Sequence, residues 1–125
     1  MKVIHTEYSL NNPGHYVPGV VSGNTLYVSG QLSVDPATGK IPEGGIIPEV
    51  KQALLNVERV LKAAGAGKQN VVMCRIYIPD ASLWGDVNKA YAEFFGDHKP
   101  ARIVVPCREL HYGCLVEIEA TAEVY

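Results

Sequence analysis

Cysteine is scarce in this chain and carries no pattern: Cys74, Cys107 and Cys114 are an odd number with no C-x-x-C spacing. That argues against both a disulfide framework and a zinc knuckle, and leaves reduced thiols in a cytosol as the simpler reading. Excess charge is also missing. Eleven Lys and Arg against thirteen Asp and Glu leave a formal charge of −2, so no global positive field exists to hold nucleic acid or an anionic membrane surface. No apolar run approaches membrane-spanning length, and Met1 to Glu7 is polar where a signal peptide would need its apolar segment. A cytoplasmic protein without membrane attachment is the expectation. His5, His15, His98 and His111 show no ligand spacing, which leaves a metal site without support. Gly44-Gly45 and Gly65-Ala66-Gly67 read as a loop and a helix stop rather than a phosphate cradle.

What the chain does have is enough apolar material to fold. At 125 residues and 47% apolar, a single domain spanning 1–125 can bury a real core without staples. A short strand is expected over Lys2 to Thr6, then an irregular Asn-, Pro- and Gly-rich loop from Ser9 to Gly19 that is long enough to be a candidate for function. Val20 to Ser22 and Thr25 to Gly30, joined by Gly23-Asn24, form a hairpin pattern, and Asp35 to Lys40 is a second turn-rich connection. From Pro48 the period changes. Val50, Leu54, Val57, Val60, Leu61 and Ala64 fall on one helical face, and Gly65 supplies the stop.

Val71 to Ile78 is β-branched and apolar, as expected of a buried central strand ended by Pro79-Asp80. Ser82 is the candidate N-cap of a second helix with the stripe Leu83, Val87, Tyr91, Phe94 and Phe95, closed by Gly96. Strands are expected over Arg102 to Pro106 and Leu115 to Val124, linked by a polar-aromatic loop from Cys107 to Cys114. The last strand alternates strictly: Val116, Ile118, Ala120, Ala122 and Val124 point one way, Glu117, Glu119, Thr121 and Glu123 the other. This order gives a two-layer α+β domain whose two helices cover only one sheet face. Apolar residues from the hairpin and the Val71 to Ile78 strand would then line the second face, and covering that face with copies of the chain is the usual remedy.

Arg102 enters a strand otherwise made of Ile103, Val104 and Val105, a setting in which a guanidinium should have an anionic partner. That partner is either a substrate carboxylate, which the planar fork matches with two hydrogen bonds, or a structural Glu; a third alternative is an Arg at the strand edge facing solvent. Glu117 is a general base or water-positioning group if desolvated near Arg102, and otherwise one of several solvated acids. Cys107 with His111 as base has the composition of a nucleophile pair, against the alternative of a small core thiol. His15 and Tyr16 in the first loop are open between site and packing roles.

Several segments resemble the reactive intermediate deaminase family, RidA, formerly YjgF. They are Pro13 to Gly19, Leu26 to Gln31, Val87 to Phe95, Pro100-Ala101-Arg102 and Val116 to Ala120, in the family's order across nearly the whole chain. Pro-Ala-Arg followed fifteen residues after the Arg by the Glu of Val-Glu-Ile-Glu-Ala is a specific combination. The resemblance implies a chorismate-mutase-like fold (Bacillus type) with a mixed sheet, and a homotrimer whose sheets line a central β-barrel with sites between subunits. It further implies hydrolysis of enamine and imine acids such as 2-aminoacrylate or 2-iminobutanoate to 2-keto acids and ammonia, with neither metal nor organic cofactor. By position, Arg102 looks like the carboxylate-binding Arg and Glu117 like the residue that orients water. Tyr16, Ser29, Gly30 and Asn88 match positions around the pocket. Val104 stands where many deaminases have a Cys whose backbone faces the ligand. Leu110-His111-Tyr112-Gly113 replaces the usual Leu-Pro stretch, and Trp84 has no assigned role beyond helix packing. Two alternatives remain beside the deaminase: a protein that binds a keto acid or amino acid without turnover, and a ribonuclease or translation inhibitor. The pI near 6.0 and the lack of a basic-aromatic surface pattern disfavour the latter.

Overall fold

The computed structural model describes residues 1–9 and 12–125, so Leu10 and Asn11 of the expected Ser9 to Gly19 loop lie outside the described residues. Six strands form one sheet: β1 (Lys2–Ile4), β2 (Gly19–Ser22), β3 (Thr25–Leu32), β4 (Val71–Ile78), β5 (Ala101–Pro106) and β6 (Glu117–Glu123). The helices are α1 (Ile46–Ala63) and α2 (Trp84–Phe95). The spatial order is β1-β2-β3-β6-β4-β5, antiparallel except for the β4–β5 pair. That parallel pair is joined through α2, the crossover a parallel connection requires. The expected mixed sheet with two helices on one face is therefore present.

The core lies between the helices and that face. From α1 it takes Val50, Ala53, Leu54, Val57, Val60 and Leu61, all essentially inaccessible, as the helical spacing predicts. α1 starts at Ile46, two residues before the expected Pro48, because a proline in the first turn has no amide hydrogen to lose from the ladder. Gly65, at φ 77, ends it. β6 contributes Ile118, Ala120 and Ala122, with Val116 and Val124 buried just outside it, so its period-two alternation is realised. Truncating a fully buried leucine here, Leu54 for example, would cost about 2–5 kcal/mol.

Three further details differ from the expectations. The α2 start is not capped by Ser82; the Asp80 carboxylate accepts the Ser82 amide at 2.8 Å, and a 3-10 turn over Ala81–Leu83 precedes the helix. β4 is central by topology but buried on one face only: Cys74, Ile76 and Ile78 pack under the helices, while Arg75 on the other face is exposed. The second sheet face is consequently mixed rather than apolar. Tyr27 and Ile103 are 54% and 48% exposed there, but Glu119 between them pairs with Arg75 at 3.2 Å and accepts from the Tyr77 hydroxyl at 3.1 Å.

Polar residues inside the α1 stripe tie strand ends to the helix. Buried Glu49 accepts from the Ser33 hydroxyl at 2.6 Å and the Leu115 amide at 2.8 Å. The Asn56 amide nitrogen donates to the Leu32 and Val34 carbonyls at 2.9 and 2.8 Å. Backbone groups where β3 and β6 leave the ladder are thereby satisfied, and the two segments that flank the cleft described below are held in place.

Candidate active site

Arg102 lies on the edge strand β5 opposite Cys74 of β4, which turns its side chain to the helix side of the sheet. There its Nη1 donates to Asn88 Oδ1 at 2.9 Å. The guanidinium carbon lies 4.9 Å from the Tyr91 ring centroid and 5.6 Å from that of Trp84, within cation–π range. Trp84, Asn88 and Tyr91 are spaced i, i+4, i+7 on α2, so one helical face presents all three. Among the described residues no carboxylate comes within ion-pair distance of Arg102. The structural-Glu alternative is not what surrounds it, and most of its five-donor fork is unfilled.

Beneath the guanidinium the environment is dry. The Tyr91 hydroxyl is buried without a well-formed hydrogen bond and faces the Cys74 thiol. Burial pushes that thiol up to about 11 and raises the Tyr91 phenol as well. Both groups are neutral at physiological pH, so Arg102 carries the charge of this cluster. Val104, on the same face of β5, packs against the core.

Glu117 is on the other face of the sheet, opposite Leu32 of β3 and Tyr77 of β4. Its half-buried side chain enters an open cleft of about 840 Å³ whose lining includes Tyr16, Ser29, Gly30, His111 and Tyr112. A bulge in β3 sets Ser29 and Gly30 against Glu119 alone, and Gly30 leaves room for the acid: a Cβ there would sit 2.7 Å from Glu117 Oε2. The Ser29 hydroxyl donates to the Val17 carbonyl at 2.6 Å and its amide to Pro18 at 2.9 Å, so Ser29 anchors the first loop over the cleft. Desolvation raises the Glu117 pKa above its usual 4.5; His111 opposes that rise and Glu119 adds to it. Tyr112 holds φ 61 and is 74% exposed, at the cleft's outer wall.

The structure thus gathers Tyr16, Ser29, Gly30 and Glu117 on one side of the sheet, and Asn88, Arg102 and Val104 on the other. His111 and Tyr112 reach the Glu117 cleft. Cys107 does not line it; its exposed thiol donates to the Arg108 carbonyl at 3.1 Å. His15 is exposed and also outside the lining. Sequence reasoning missed Trp84 and Tyr91 as partners of Arg102, although their helical spacing with Asn88 was a usable signal. Among the described residues no three His, Cys, Asp or Glu side chains cluster as metal ligands, and no helix is long and apolar enough to cross a membrane.

The sequence and the α+β fold of this chain both match a known class. The profile of the endoribonuclease L-PSP family matches residues 6–124. The rat 2-iminobutanoate/2-iminopropanoate deaminase is 40% identical over 121 residues, covering 97% of this chain and 88% of that protein. A RutC family protein of Pyrococcus horikoshii is 38% identical over 97% of this chain and 96% of its own length. Among solved structures, the YjgF gene product of E. coli superposes with a TM-score of 0.91 at 35% identity over 98% of both chains. E. coli TdcF with bound serine gives 0.92 at 31% identity over the full length of both. The chain belongs to the RidA (YjgF, L-PSP) family.

Proposed function

We propose that this protein is a hydrolytic deaminase that converts small enamine and imine acids, such as 2-aminoacrylate or 2-iminobutanoate, to 2-keto acids and ammonia. The observation that carries this reading is Arg102: a guanidinium fixed by Asn88 and two rings, with no acidic partner among the described residues. A substrate carboxylate is the group its unfilled fork fits. Family membership, and relatives named as deaminases at about 40% identity, support the reaction class.

Arg102 and Glu117 face opposite sides of one sheet, so a site that uses both is built from two copies of the chain. A homotrimer, its mixed sheet faces meeting around a central barrel, is the assembly this reading takes, in the cytoplasm and without a cofactor. In that site Arg102 and Asn88 of one subunit hold the carboxylate beside the Tyr16, Ser29, Gly30 and Glu117 wall of the next. An enamine first tautomerises to the imine. Water adds to the carbon of the protonated imine as Glu117 takes one of its protons; Glu117 passes that proton to the adduct's amino nitrogen and then takes the hydroxyl proton, so that the C–N bond breaks, ammonia leaves and the keto C=O forms. An imine is already electrophilic, so orientation supplies most of what the reaction needs.

The structure of TdcF with bound serine favours a second reading, an amino-acid or keto-acid binding protein without turnover. Ammonia and pyruvate release from 2-aminoacrylate generated in situ by a lyase separates the two. Acceleration by wild type that vanishes in Arg102→Ala is the expected result. Carboxylate binding without acceleration would favour the binding protein, and RNA binding with a steep salt dependence would favour a ribonuclease.

A further inference from the structure

We infer that Trp84 is a positioning residue for the carboxylate site, its indole fixing the plane of the Arg102 guanidinium so that the open edge of the fork is set for a bidentate anion. This rests on Arg102 being the carboxylate anchor, and it gives a role to the chain's single tryptophan.

Trp84 is the first residue of α2, immediately after the Asp80-capped turn, so its backbone is well fixed. The residue is nonetheless 48% exposed. An indole at a helix start contributes little to the core from such a place; Val87, Ala90, Tyr91 and Phe95 form the buried face of α2. What Trp84 does contact is the Arg102 guanidinium, 5.6 Å from its ring centroid. The other constraints on that group come from the same helix: one hydrogen bond donated to Asn88 Oδ1 and the buried Tyr91 ring at 4.9 Å.

One hydrogen bond fixes one nitrogen and leaves the plane free to turn about the side-chain torsions. A planar cation against two aromatic faces loses that freedom before a ligand arrives, and pre-organisation of this kind appears as affinity. The indole also removes water from one side of the cation, which strengthens its attraction for an anion. The role therefore needs a flat π face at position 84, and predicts that Phe substitutes for Trp while Ala does not.

The test is binding of 2-oxobutanoate, a stable keto acid, by calorimetry and by emission of the single tryptophan, with thermal melts to show that each variant is folded. Saturation should change the wild-type emission. Trp84→Ala should weaken binding about three- to tenfold, the range of an exposed to partly desolvated cation–π contact. Trp84→Phe should stay close to wild type. With imine substrates, the Trp84→Ala defect should fall on KM, with kcat within about twofold. Unchanged affinity in folded Trp84→Ala, or Trp84→Phe as weak as Ala, overturns the inference while binding lost in Arg102→Ala keeps the anchor. A wild type that binds no keto acid overturns both.

Discussion

On the helix side of the sheet, Arg102 is gripped by three residues of a single helix and backed by buried, neutral Tyr91 and Cys74. On the open side, Glu117 stands in a cleft walled by a loop, a bulge and an exposed turn. Both groups stand on strands, Arg102 at the sheet edge and Glu117 between two neighbours; they differ in that a helix surrounds the cation and irregular segments surround the acid. On the proposed function, the helix-held cation binds the carboxylate that every substrate shares, and the loop-walled cleft meets the variable part. The proposed site needs both groups, so the comparison breaks most sharply where the two are removed separately.

Arg102→Ala and Glu117→Gln should both abolish most turnover, about 10²-fold or more for each, but in different parameters. Arg102→Ala should lose keto-acid binding. Glu117→Gln should keep it and lose kcat. Equal losses of binding in both variants would mean that Glu117 also holds the ligand, and that the division of labour between the two faces is wrong.

Mixing the two inactive variants tests whether the halves belong to different subunits. If one chain supplies Arg102 and its neighbour Glu117, co-refolded mixtures of Arg102→Ala and Glu117→Gln should regain about a quarter of wild-type activity, the chance that an intact pair meets at a random interface. No recovery in well-mixed oligomers would place both groups in one subunit's site, against their positions on opposite faces.

Much of this contrast could be read from the sequence, and the unread part has physical causes. The β6 alternation and the α1 stripe were legible because periods of 2 and 3.6 are imposed by burial on one side. β4 misled because its apolar residues resemble a strand covered twice, whereas only topology says that one face lacks a layer. Glu49 and Asn56 carry no signal of their own: the contacts that tie them to the strands, to the Ser33 hydroxyl and to backbone groups at Leu115, Leu32 and Val34, are distant in sequence. Arg102 and Glu117 were found as candidates, but their facing apart follows from the β4–β5 and β6–β4 registers, which no local pattern encodes.

Gly30 offers a smaller perturbation confined to the open face. A methyl group there would meet Glu117 Oε2 at 2.7 Å and its Cδ at 3.1 Å, and the flexible carboxylate end would yield rather than the backbone. Gly30→Ala should therefore fold normally and lose about three- to thirtyfold in kcat, with keto-acid affinity little changed. A fall in affinity as large as that in kcat would place the ligand directly against Gly30.

The smallest expected effect concerns stability, and it sharpens the electrostatic side of the comparison. Desolvation raises the Glu117 pKa above 4.5, so the folded chain favours the protonated acid more than the unfolded chain does. Below the unfolded value the group is protonated in both states and this contribution is fully present. It is lost as pH rises through the folded value, and at neutral pH the ionised acid is a net cost. Glu117→Gln should accordingly raise Tm at pH 7, with the gain shrinking towards zero as pH falls below the usual carboxylate range. The Arg102→Ala background is the place to measure it, because there no neighbouring guanidinium can offset the buried charge. A gain seen in that background and diminished in the wild-type background would mean that Arg102 of one chain already stabilises Glu117 of another; equal gains would mean that the two charges do not meet without substrate.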